Sequence, residues 1–156
     1  MGGGIVKPQE ELRGGLCEKT YKYGALDKPC LIAVADGKDQ IFGKTSVDRA
    51  LTEAVFGDEI VEDQGGIAYV THAKNGFWHG PKGLRNRHVS GVLLLPQTGL
   101  WKLREENWQP ALAANPWAER PLPNALRSMN RFESNNGRWA AREGKRFADI
   151  VGLPDP

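Results

Sequence analysis

The chain is poor in cysteine, in long apolar runs and, through its middle, in acids. Its two cysteines, Cys17 and Cys30, lack Cys-x-x-Cys spacing. That argues against a disulfide framework or a cysteine metal site and favours two small buried or half-buried residues without chemistry. No apolar stretch approaches the ~18 residues that span a bilayer; the longest are Cys30–Ala35 and Val89–Pro96. Met1–Lys7 lacks the apolar core of a secretory signal, so a cytoplasmic protein without membrane contact is the expectation.

Several catalytic signatures are also missing. Gly43-Lys44-Thr45 has the tail of a phosphate loop without the glycine-rich lead. Ser90, in Val89-Ser90-Gly91, lacks the Gly-x-Ser-x-Gly elbow of a nucleophile. His72, His79 and His88 are seven and nine residues apart rather than at the helical spacing of a zinc hydrolase. They can still converge across a hairpin, and His79 in Trp78-His79-Gly80-Pro81 is the first to test. Asp36 and Asp39 beside Gly37 have the oxygen ligands that magnesium prefers. Turn formation explains aspartates beside glycine more readily.

What is present is an ordinary globular composition, 40% hydrophobic and 26% charged, with 19 Gly and 10 Pro marking many turns. At 156 residues the chain suits one domain, with residues 1–8 as a flexible leader and 9–156 as a single α/β unit. The net charge of +2 is unevenly spread: residues 64–104 hold six Lys/Arg and no acid. Lys74, Lys82, Arg85, Arg87, Lys102 and Arg104 form a positive surface for phosphates or carboxylates if they lie together. Otherwise they are solvated charges on a hairpin that happens to lack acids. The five tryptophans, Trp78, Trp101, Trp108, Trp117 and Trp139, read as core anchors ahead of base-stacking platforms.

Along the chain, Leu12, Leu16, Lys19 and Tyr23 have helical spacing, and Gly24 supplies a stop. Pro29 opens an apolar strand, Cys30–Ala35, whose unbroken run predicts burial on both faces. Ser46 predicts the cap of a helix from Val47 to Phe56 ended by Gly57, followed by an acidic loop, Asp58–Asp63. Ile67–His72 and Gly76–His79 read as strands around Lys74-Asn75-Gly76, since Asn-Gly is a strong hairpin signal. Arg87–Leu95 is the next strand, Leu100–Trp108 a short helix or turn, and Gln109–Ala114 a further strand. Arg131–Ser134 and Arg138–Arg142 predict a hairpin through Asn135-Asn136-Gly137, and Lys145–Val151 a last helix stopped by Gly152. The simplest assembly is α/β, a single mixed sheet with flanking helices on one side.

Lys19-Thr20-Tyr21-Lys22-Tyr23-Gly24, Leu26-Asp27-Lys28-Pro29 and Ile32-Ala33-Val34 together resemble a segment of uncharacterised bacterial proteins with a restriction-endonuclease-like, PD-(D/E)xK-type core. Ala50-Leu51 through Phe56-Gly57, Val89-Ser90-Gly91-Val92-Leu93, Asn115-Pro116-Trp117-Ala118 with Pro121-Leu122-Pro123, and Gly152-Leu153-Pro154 agree with it. The resemblance implies a partial restriction-endonuclease-like fold, the C-terminal part of a larger domain. It also implies a remnant site in which Lys19 and Tyr23 share a helix face, with Asp36 as a candidate acid. The acids that such nucleases use for metal belong upstream of that helix, where only Met1–Glu18 stand.

The expectation is therefore a module that is not catalytic by itself. Magnesium enters only if another chain supplies the missing acids. DNA or RNA is the leading partner, through the six cations of the acid-free block. The rival is a protein interaction module in which the edge of Cys30–Ala35 pairs with a second copy or with a chain supplying the missing strands.

Overall fold

The structure, a computed structural model, describes residues 7–24, 26–35, 44–95, 110–135 and 138–152. In chain order the elements are α1 (Pro8–Tyr23), β1 (Cys30–Ala35), α2 (Lys44–Phe56), β2 (Glu59–Gln64), β3 (Ile67–His72), β4 (His79–Gly80), β5 (Gly83–Leu84), β6 (Val89–Leu95), β7 (Ala111–Ala114), α3 (Asn124–Arg127), β8 (Arg131–Asn135), β9 (Arg138–Arg142) and α4 (Phe147–Val151). The class is α/β, built on a mixed five-stranded sheet of order β1-β6-β7-β8-β9. The sheet is not single: β2–β3 and β4–β5 are separate two-stranded ribbons among the described residues.

β6 is the spine. It pairs parallel with β1, Leu31 against Gly91 through Ala35 against Leu95, and antiparallel with β7, Gly91 against Ala114 through Leu94 against Ala111. Its successive apolar residues Val92, Leu93 and Leu94 point alternately to the two faces, so both faces need cover. On one face Leu16 of α1 and Leu51, Val55 and Phe56 of α2 pack over Ile32, Val92, Leu94 and Ala113, together with Phe77 and Trp78. On the other, Leu93 and Leu112 meet Leu122 and Met129, with Leu126 of α3 and Phe147 and Ile150 of α4 against them. Helices thus flank both faces, not one.

β1 runs over the residues its sequence predicts but not in the setting it predicts. It lies at the edge of the sheet, and its burial alternates: Cys30 and Ile32 are buried while Ala33 and Ala35 are exposed. An alanine is compatible with either side, so a run of six apolar residues that includes two such alanines does not require two covered faces. The long interior strand is β6, buried from Val89 to Leu94.

Three further segments differ from expectation. α2 already runs at Lys44, which leaves Ser46 inside the helix rather than capping it. Asp58–Asp63 is not a loop, because Glu59–Gln64 forms β2 and pairs antiparallel with β3. Its two-residue turn is Gly65-Gly66, with φ of 68° and 87°, values open to glycine at little cost. No hairpin forms at Asn75-Gly76. Asn75 Nδ2 donates to Asp58 Oδ2 at 2.9 Å and its Oδ1 accepts from the Asp58 N–H at 3.0 Å. At Gly76 a Cβ would stand 2.4 Å from the Phe56 carbonyl carbon. That close approach brings the Phe77 and Trp78 N–H groups onto the last carbonyls of α2, Ala54 at 2.9 Å and Val55 at 3.0 Å, which otherwise end unpaired.

The C-terminal hairpin β8–β9 and the short α4, closed by Gly152 in the left-handed region, follow the sequence pattern. The single turn α3 does not; nothing beyond the preceding prolines marks it. Leu100–Trp108 lies outside the described residues.

Candidate functional site

The cations of the acid-free block do different work from one another. Arg85 donates Nε and Nη2 to the Gly76 carbonyl at 3.2 and 2.7 Å, and its guanidinium covers Gly80, so it holds the fold. Arg87 is exposed and reaches the Trp117 carbonyl through Nε at 3.2 Å. Lys74 and Lys82 are exposed, on the loop after β3 and between β4 and β5, and neither has a carboxylate within ion-pairing distance among the described residues. Lys102, Arg104, Asp36 and Asp39 lie outside the described residues.

Lys19 is half-buried and Tyr23 exposed on α1, and neither lines a described cavity. The three histidines stay apart in role. His72 Nδ1 lies 2.7 Å from the Gly57 carbonyl, His79 packs its edge on Trp117 with ring centroids 5.9 Å apart, and the buried Nε2 of His88 has no partner among the described residues. Those residues contain no group of His, Cys, Asp and Glu able to hold a metal. Ser90 is an anchor rather than a nucleophile: its Oγ accepts from the Cys30 N–H at 3.0 Å and donates to the Arg120 carbonyl at 2.6 Å. Burial pushes the Cys30 thiol up, away from thiolate reactivity.

Charge converges elsewhere, around the loop from Asn115 to Pro121 that follows β7. Asn115 is buried and builds the turn, donating Nδ2 to the Val89 carbonyl at 2.8 Å and accepting the Trp117 N–H on Oδ1 at 2.9 Å. Arg87 grips the loop from one side, while Arg120 extends from it to the Leu26 carbonyl at 3.0 Å. The loop also walls a cavity of ≈ 360 Å3, whose charged lining is Arg127, Arg131, Arg142 and Glu133.

The sheet register makes this cluster. Arg131 and Arg142 are directly opposed on β8 and β9, a like-charge pair that is unfavourable by itself. Glu133, two residues along β8 and therefore on the same face, resolves it: Oε2 accepts Arg131 Nε at 3.1 Å and Oε1 accepts Arg142 Nε at 2.7 Å. Burial pushes the Glu133 carboxyl up, but the two guanidinium groups outweigh it and hold the carboxyl below its ordinary range. Arg131 Nη1 also donates to the Arg127 carbonyl. The remaining terminal nitrogens of Arg131 and Arg142, and the whole Arg127 guanidinium, have no partner among the described residues. Three arginines against one glutamate leave the cavity at +2.

No family model, curated protein or solved structure matches this chain. The site must therefore be read from its own groups. Of the arginines bordering the loop, only Arg87 stands out in the sequence. Residues 105–156 carry seven Lys/Arg against seven Asp/Glu, and that balance hides Arg127, Arg131 and Arg142. A signal does exist: a hairpin closed at Asn135 to Arg138 must set Arg131 opposite Arg142.

Proposed function

We propose that this chain is a nucleic-acid-associating module, of the restriction-endonuclease-like kind its sequence resembles, and that by itself it does not cut the strand it holds. The observation that carries this reading is the excess of arginine around one loop. Arg87, Arg120, Arg127, Arg131 and Arg142 border the Asn115–Pro121 segment and its cavity, against the carboxylates Glu119 and Glu133. Guanidinium groups suit phosphate oxygens because they present paired donors in a plane. An exposed cationic surface of this kind binds the backbone without reading its sequence. The wider acid-free block contributes Lys82 and Lys74 as outlying charges, while Arg85 is committed to the fold.

The test is binding to mixed-sequence duplex and single strand across a salt series, with magnesium present and products resolved on the same gel. Affinity should fall steeply with salt, and Arg87→Gln should reduce the slope of log K on log salt by about one. Absence of binding at low salt overturns the reading.

One observation favours a second reading. Among the described residues β1 pairs only with β6, so its other edge offers free backbone donors and acceptors, the arrangement that captures a strand from another chain. Dimerisation insensitive to salt, without nucleic-acid binding, would put this reading ahead.

A further inference from the structure

We infer that the cavity between the Asn115–Pro121 loop and β8–β9 is a subsite for a phosphate monoester, either the phosphorylated end of a strand or a free mononucleotide. The inference deepens the nucleic-acid reading and rests on it for the strand-end source alone. Three features carry it.

The first is charge. Arg127, Arg131 and Arg142 against Glu133 leave +2 in the cavity. A phosphate monoester carries about −1.5 to −2 at pH 7, whereas each internal phosphodiester carries a single negative charge. The cavity charge matches the former.

The second is preorganisation. Glu133 holds Arg131 and Arg142 by their Nε atoms at 3.1 and 2.7 Å, and the Arg127 carbonyl takes one Arg131 Nη. The outer nitrogens are thus carried on guanidinium planes fixed from behind, so little rotamer freedom remains to be lost on binding. Arg127 makes no such bond among the described residues and is free to close on the anion.

The third is size and lining. At ≈ 360 Å3 the cavity lies within the range of small-molecule sites and is far too small for a duplex. Ala114, Pro116, Ala118, Pro121 and Leu122 supply apolar walls that a sugar or base can cover. Ser90 and Asn115 also line it, but both spend their polar atoms on the backbone. Ser134 adds a neutral hydroxyl to the lining, which leaves the arginines as its cationic anion ligands.

The test uses the full chain and three probes: adenosine 5′-monophosphate, a short mixed-sequence single strand with a phosphate on either terminus, and the same strand with hydroxyl ends. Adenosine serves as the uncharged control. The monophosphate should bind about tenfold or more tightly than adenosine, a difference worth ~1.4 kcal/mol, and the phosphorylated strand should exceed the hydroxyl strand by a similar factor. Arg127→Gln, which removes no fold-holding bond, should abolish both differences. Arg142→Gln should do the same, with its far-ultraviolet circular dichroism checked against the parent chain. Lys74→Gln should change neither.

If the monophosphate binds but no strand does, the subsite stands as a mononucleotide site and the nucleic-acid reading falls. If both strands bind equally and the monophosphate no better than adenosine, the subsite is refuted while the nucleic-acid reading survives. Absence of binding by every probe refutes both.

Discussion

Two charged clusters of this molecule use similar groups to opposite ends. At the end of α2, Arg13 donates to Asp58 Oδ1 at 2.8 Å and to the Glu53 and Ala54 carbonyls at 2.8 and 3.3 Å, while Asn75 takes the other Asp58 oxygen. One cation meets one anion, both carboxylate oxygens are used, and the Arg13 side chain is only 14% exposed. In the cavity beside β8–β9, three arginines stand against one carboxylate that only Arg131 and Arg142 contact, and Arg142 is half exposed. The lesson is that balanced, enclosed charge builds the fold, whereas surplus charge on an accessible wall is available to a partner.

The comparison breaks most forcefully at the first cluster. Gly76→Ala places a Cβ 2.4 Å from the Phe56 carbonyl carbon and 2.5 Å from the Gly57 nitrogen, backbone atoms that cannot swing aside. We expect a loss of about 3 kcal/mol or more, read as a collapse of the urea midpoint. Asp58→Ala comes next. It strands a mostly enclosed guanidinium and the Asn75 amide, and should cost about 2 kcal/mol by the same measurement.

Acid then sharpens the contrast. Burial pushes the Asp58 carboxyl up, but hydrogen bonds from Arg13 and Asn75 outweigh it and hold the group below its ordinary value; Glu133 is depressed likewise. The unfolded chain therefore takes up protons before these groups do in the folded state. Their contribution is complete above the ordinary carboxylate range near pH 4 and is lost as pH falls through the lower folded values. Urea midpoints should drop with acidification below about pH 4, and Asp58→Ala should flatten part of that drop. The smallest effect belongs to the second cluster: Arg127→Gln should leave stability within about 0.5 kcal/mol while lowering the salt slope of strand binding by about one. A large loss of stability there would make Arg127 a structural residue and erase the distinction.

The sequence pattern is readable wherever the cause is local. Gly24 at φ 60° and Gly152 at φ 70° end their helices as their positions suggest, and Asn135 pairs with Arg138 as the last rung of the expected hairpin. It misleads where two local signals compete. Gly65-Gly66 and Asn75-Gly76 both resemble hairpin turns, and only the former is one, because Asn75 is drawn to Asp58 and Gly76 to the end of α2. The candidate site was less legible still. Of the predicted cations that the structure describes, Arg85 serves the fold and Arg87 alone reaches the loop, while the cavity arginines sit in a segment of balanced charge.

By itself the sequence determined most of the helical and extended segments, several of their stops, and the absence of the sequence motifs that would announce a phosphate loop, a nucleophile elbow or a helical zinc pair. These depend on residues a few positions apart. Tertiary structure alone decided that β1 is an edge and β6 the buried spine, that helices cover both faces, and that Arg127, Arg131 and Arg142 line one cavity with Glu133. Those outcomes depend on strand pairing and register between distant segments, where the energy of burying one face on another selects among arrangements that local pattern leaves equal.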